Sequence, residues 1–87
     1  MAVTSKAITI TPTAQQLVAP DNVRQDVQIH GKHKFFLGGS VGVTTTNGFL
    51  VDNGDEFRVT LFEGDELWGV CEDNTTGTIY LLISAQT

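Results

Sequence analysis

Two histidines three positions apart, His30 and His33, and a single cysteine, Cys71, are the side chains here whose types could bind a metal or serve as nucleophile and base. A zinc site needs converging nitrogen and sulfur ligands, which in a β fold come from strand positions that share a face. His30 ends an alternating run, Asp26-Val27-Gln28-Ile29-His30, and Gly31-Lys32 turns the chain before His33. The two imidazoles therefore have opposite parity, and no Cys-x-x-Cys pair or acidic third ligand stands near them. A cupin-like metal barrel would carry two histidines on one strand face with a following carboxylate, a pattern that this chain lacks. Cys71 falls within a strand-like run, where cysteine acts as a small apolar residue more often than as a nucleophile. The acidic stretches 52–56 and 63–66 do not match the spacing of a calcium loop and read as turns, where water keeps carboxylates ordinary. Gly38-Gly39-Ser40 lacks the Gly-Lys-Ser/Thr ending of a phosphate loop, and no helix follows it. The expectation is a protein that is not an enzyme and that carries no metal and no cofactor.

The elements that must position any site follow from composition. Eighty-seven residues support one domain, 1–87, with no room for a second core. A hydrophobic fraction of 40% with 17% charged residues is apolar enough to fold, and excludes both a disordered acidic tail and a coiled coil. No apolar run approaches the roughly 20 residues of a membrane helix, and the first six residues lack the apolar core of a signal peptide. A single cysteine fits folding in a reducing cytoplasm. The net charge is −5, with eight of the ten acids between Asp52 and Asp73 and four of the five cations before residue 35. So few cations supply no basic stripe, which excludes nucleic acid as the expected partner, as the hydropathy excludes a membrane. The charge polarity either helps copies meet head to tail or simply sits on exposed loops.

Twelve threonines and nine glycines disfavour helix, and short alternating runs between turn dipeptides indicate an all-β protein. The spacing predicts a small antiparallel β-sandwich or barrel of about seven to eight short strands. They fall at 6–11, 15–19, 26–30, 34–37, 49–51, 56–62, 66–71 and 78–84. Pro12 and Pro20 stop the first two, which makes residues 1–20 an N-terminal arm or edge-strand segment. Asn53-Gly54 is a hairpin dipeptide.

The last three strands read as a C-terminal three-stranded meander. With turns at 63–66 and 72–77, Phe57, Val59, Leu61, Trp68, Val70, Ile79, Leu81 and Ile83 share a core face. The opposite face then holds Phe62, Leu67, Tyr80 and Leu82, with Tyr80 shielding Gly69. Four large apolar groups on an outer face imply a covered surface. The cover is either the N-terminal segment of the same chain or a partner.

The runs Gln16-Leu17-Val18-Ala19-Pro20, Asp26 to His30, Lys34-Phe35-Phe36-Leu37-Gly38-Gly39, Val43-Thr44-Thr45-Thr46-Asn47-Gly48-Phe49 and Gly64-Asp65-Glu66-Leu67-Trp68-Gly69-Val70 resemble a family of small virion proteins of tailed bacteriophages. The resemblance spans most of 8–83 and rests on strand and turn motifs; His30-Gly31-Lys32 and Phe36 depart from it. It implies a structural β-sandwich, a capsid decoration protein made in the host bacterial cytoplasm that binds the major capsid protein on the virion surface. It also implies a homo-oligomer, a trimer by analogy. Ile8, Ile10, Phe62, Leu67, Tyr80 and Leu82 are the interface candidates. The alternative is a tail or fibre module that recognises host-surface glycan, which would need exposed aromatic rings.

Overall fold

The structure is a computed structural model that describes residues 2–52 and 54–85. The described residues form eight strands: β1 (Ala2–Ile10), β2 (Gln15–Val18), β3 (Gln25–Gly31), β4 (Phe35–Gly38), β5 (Phe49–Val51), β6 (Glu56–Leu61), β7 (Leu67–Val70) and β8 (Gly77–Ala85). They form two antiparallel four-stranded sheets, sheet A in the order β1-β8-β3-β6 and sheet B in the order β2-β7-β4-β5. Only the β4–β5 connection stays within a sheet; every other one crosses the sandwich. This is the jelly-roll arrangement of two sheets.

The alternation read in the sequence places the core. Val27 and Ile29 of β3, Leu61 of β6, and Ile79, Leu81 and Ile83 of β8 point inward from sheet A. They meet Leu17, Phe35, Leu37, Val51 and Leu67 from sheet B, with Cys71 just beyond β7. Sheet B is apolar on its other face too. There Phe36, Val43 and Val70 form a second cluster with Ala14 and Trp68 packed against it, because the loop 39–48 folds back over β4 and β7. Backbone bonds tie the loops at the ends of the sandwich, from Cys71 N to Thr11 O (3.0 Å) and from Gly64 N to Asp21 O (2.9 Å).

The meander expected over 56–84 is replaced by this crossing topology. β6 pairs with β3, β7 with β2 and β4, and β8 with β1 and β3, so none of the three pairs with another. The turns at 63–66 and 72–77 carry the chain from one sheet to the other. The shared core face expected for Trp68 with Leu61 and Leu81 is therefore absent, as is the shielding of Gly69 by Tyr80. Gly69 lies inside the sandwich, where an added Cβ would stand 2.9 Å from the ends of Ile10 and Leu17. β6 and β8 keep the expected faces, whereas β7 is inverted: Leu67 joins the main core, and Trp68 and Val70 pack under the 39–48 loop. Asn53 of the expected Asn53-Gly54 hairpin lies outside the described residues; Gly54 has φ +85° and donates its N–H to Gly31 O, just beyond the end of the β3–β6 pairing.

Candidate functional site

The residues first singled out for chemistry are dispersed. His30 is exposed on the outer face of sheet A, opposite Tyr80 of β8 and Glu56 of β6. His33 lies in the β3–β4 turn, its Cβ against Gly77. Cys71 is buried, its thiol directed at Thr75 O (3.1 Å) and Ile10 O (3.5 Å). Among the described residues no group of three or more His, Cys, Asp or Glu is placed to hold a metal ion. The acidic turns serve the backbone: the Asp65 carboxylate accepts the Phe62 N–H (3.1 Å) where Gly64 takes φ +85°.

Of the six interface candidates, two belong to the interior. Ile10 and Leu67 are buried between the sheets, because β1 turns its even-numbered end inward and β7 has the parity opposite to that expected. Ile8 is half-buried and packs against the same core. Phe62 is 63% exposed at the end of β6, beside the Gly64 turn. Tyr80 and Leu82 remain on the surface, 41% and 42% exposed, in the middle of the outer face of sheet A.

That face divides in two. On one side of Tyr80 and Leu82 runs β1, which presents Val3, Ser5, Ala7 and Thr9 opposite Ser84, Leu82, Tyr80 and Thr78. This half is small, uncharged and continuous. On the other side, β3 and β6 carry a polar network. Glu56 accepts a hydrogen bond from Gln28 and another from Arg58 Nε (3.4 Å). Thr60 donates to Asp26 (3.0 Å), which also meets Arg24 at 3.7 Å. The two donors hold the Glu56 carboxyl below its ordinary range, the Gln28 amide most and then Arg58. Lys32 stands 5.8 Å over the Tyr80 ring, a cation–π arrangement. Two shallow grooves follow the boundary, one lined by Asp26, Gln28, Arg58, Thr60 and Leu82, the other by Gln28, His30, Glu56 and Tyr80. The arrangement is a flat face of mixed chemistry.

Comparison with known proteins adds the fold. The chain is similar in structure to a solved protein of Bacillus endospore appendages, which are described as a novel family of disulfide-linked pili. The two superpose with a TM-score of 0.60 over 94% of this chain and 82% of that one, at 15% sequence identity. The likeness is one of architecture, the two-sheet β-sandwich. No family model matches the chain, and no curated protein matches it in sequence.

Sequence reasoning missed Phe49, which is 59% exposed on β5, and its contact with Phe57. An isolated three-residue run, Phe49 to Val51, carries too little alternation to show which side faces out. The available signal was Phe49 and Phe57 lying on either side of a single short turn.

Proposed function

We propose that this protein is a structural component of a tailed-phage particle, a decoration protein that docks on the major capsid protein at the virion surface and stabilises the head. The observation that supports the reading best is the pair Tyr80 and Leu82, exposed at the centre of sheet A beside the uncharged row of β1. A flat face with an apolar middle and a polar margin suits docking on another protein. The mechanism needs binding energy alone. A protein that binds the assembled shell and not its dissociated subunits stabilises the shell by mass action. The structural neighbour, too, comes from a repeating assembly, a pilus. The disulfide linkage of those pili is not open to this folded chain, whose one cysteine is buried.

The test is the copy number of this chain per major capsid subunit in purified particles, followed by binding of the recombinant protein to shells stripped of it. A simple lattice ratio and saturable rebinding support the proposal, and absence from the particle overturns it. A second reading, glycan recognition by a tail or fibre module, draws on the exposed Tyr80 ring beside Gln28, Glu56 and Arg58 in the grooves. A handful of copies per particle, with chemical-shift changes confined to those residues on titration with host-surface oligosaccharide, would favour it.

A further inference from the structure

Among the described residues, sheet A ends at β6 and sheet B ends at β5, so each presents an unpaired backbone edge. The two edges share one flank, because the rings of Phe49 on β5 and Phe57 on β6 meet there with centroids 5.0 Å apart. The flank is apolar: Phe49 is largely exposed, Leu50 is exposed, and Phe57 and Val59 are half-buried, facing a core that this side of the sandwich leaves partly uncovered. Glu56 and Arg58 stand on either side of Phe57, their side chains on the opposite face of the strand.

We propose that β6 is a dimerisation edge, pairing antiparallel with β6 of a second copy of this chain about a two-fold axis at Phe57. The two A sheets then form one eight-stranded sheet. About that axis Glu56 lies opposite Arg58 of the second copy, and Arg58 opposite its Glu56, so the strand is its own electrostatic complement. Opposite charges directly across an antiparallel pair stabilise it, and like charges weaken it. The charges also select the register. A one-residue slip turns the inward row of one copy to the outside. A slip of two sets Glu56 against Glu56 or Arg58 against Arg58. Charges on an edge strand ordinarily block pairing with other chains, and this pattern disfavours the registers two residues either side of the one centred on Phe57. The axis also brings both Phe57 rings together, each with its Phe49, which places four aromatic rings where one copy leaves its core half-covered.

Side-chain geometry permits the exchange. The existing bond to Glu56 uses Arg58 Nε, and the Arg58 side chain is 76% exposed, with its terminal nitrogens able to reach across the axis. The other edge of sheet A is no match, since β1 carries one charge, Lys6, and no acid to complement it. A two-fold contact is isologous and closes at two copies, so it stands against the trimer that the family resemblance implies. It goes beyond the capsid reading and does not depend on it.

Sedimentation of the purified full chain from micromolar to millimolar concentration tests the proposal, with circular dichroism to verify that each variant is folded. The wild type is expected to form dimers. E56R and R58E, both at exposed positions, are each expected to weaken the dimer by about tenfold or more, because two attractive cross-strand pairs become repulsive. The double variant E56R/R58E exchanges the charges and is expected to dimerise as the wild type does. An equimolar mixture of E56R with R58E should give heterodimers. A wild type that stays monomeric to millimolar concentration overturns the proposal, as do trimers, chains longer than dimers, or folded single variants that dimerise as tightly as the wild type.

Discussion

The carboxyl of Glu56 and the ammonium of Lys34 are the two groups whose ionisation the fold visibly biases. Gln28, then Arg58, stabilises the charged form of Glu56 and lowers its pKa below the ordinary 4.5. A depressed carboxyl pKa adds stability above its unfolded value, and that share is lost as the pH falls through the folded value, below 4.5. Lys34 lies 2.5 Å from Glu72, and that bond raises its pKa above 10.5. Its contribution is complete below 10.5 and is lost as the pH rises through the folded value. Both groups face solvent, so the effects are small. They are read by NMR titration: Gln28→Leu is expected to return the Glu56 pKa toward 4.5 and leave Lys34 unchanged. Gln15 offers a clearer stability test. Its side-chain oxygen is enclosed and has no hydrogen-bond partner among the described residues. A buried acceptor left unpaired costs roughly 1–3 kcal/mol, so Gln15→Met should raise the urea midpoint at an unchanged slope. A lower midpoint would mean that the amide nitrogen of Gln15 matters more than its oxygen.

At the level of strands and loops, residue type and alternation located the elements well and their neighbours poorly. Val27 and Ile29, or Ile79, Leu81 and Ile83, announce an inward row because polar residues separate them. Nothing in such a row says which strand lies alongside, and a turn such as 63–66 can close a hairpin or cross a sandwich with the same residues. β7 misled further because it is covered on both faces: Leu67 and Trp68, or Val70 and Cys71, all find apolar surroundings, so parity could not be read from hydrophobicity. The cover over its outer face is the 39–48 loop, which two glycines fit into place. A Cβ on Gly38 would meet Val43 side-chain atoms at 2.6 and 2.7 Å, and one on Gly48 would meet Thr44 O at 2.8 Å and Phe36 Cβ at 2.7 Å. The Gly48 collision involves backbone and cannot be relieved by a rotamer change. Gly48→Ala should therefore cost about 1–3 kcal/mol by overpacking, and faster hydrogen exchange should be confined to 39–48 and the β4–β7 pairing. Gly64→Ala is a contrasting control. Nothing crowds that site, but φ is +85°, so its cost should be about 1 kcal/mol from backbone strain alone.

For the molecule as a whole, the outer face of sheet A and the β5–β6 flank make separable demands. Tyr80 and Leu82 sit on β8, two strands in from the β6 edge, so a dimer built on that edge keeps both copies of the docking face on one continuous sheet. Such a dimer meets a repeating shell with two sites at once, and the second engagement is intramolecular, which raises avidity without any new contact. The two surfaces should then respond differently to substitution. Tyr80→Glu with Leu82→Lys is expected to abolish binding to stripped shells, yet leave thermal stability within about 1 kcal/mol, since both side chains are substantially exposed. It should leave dimerisation unaffected. R58E should lose any contact that Arg58 makes from the polar margin of the face and, beyond that, the bivalent gain, so its apparent affinity should fall by roughly tenfold to a hundredfold or more. Supplying E56R in equal amount should restore the bivalent part. If R58E saturates the shell at the same concentration as the wild type, copies bind singly and the flank has no part in decoration. If the sheet A variant still binds, the docking face lies elsewhere, and Phe62, exposed at the far end of β6, is the next side chain to exchange.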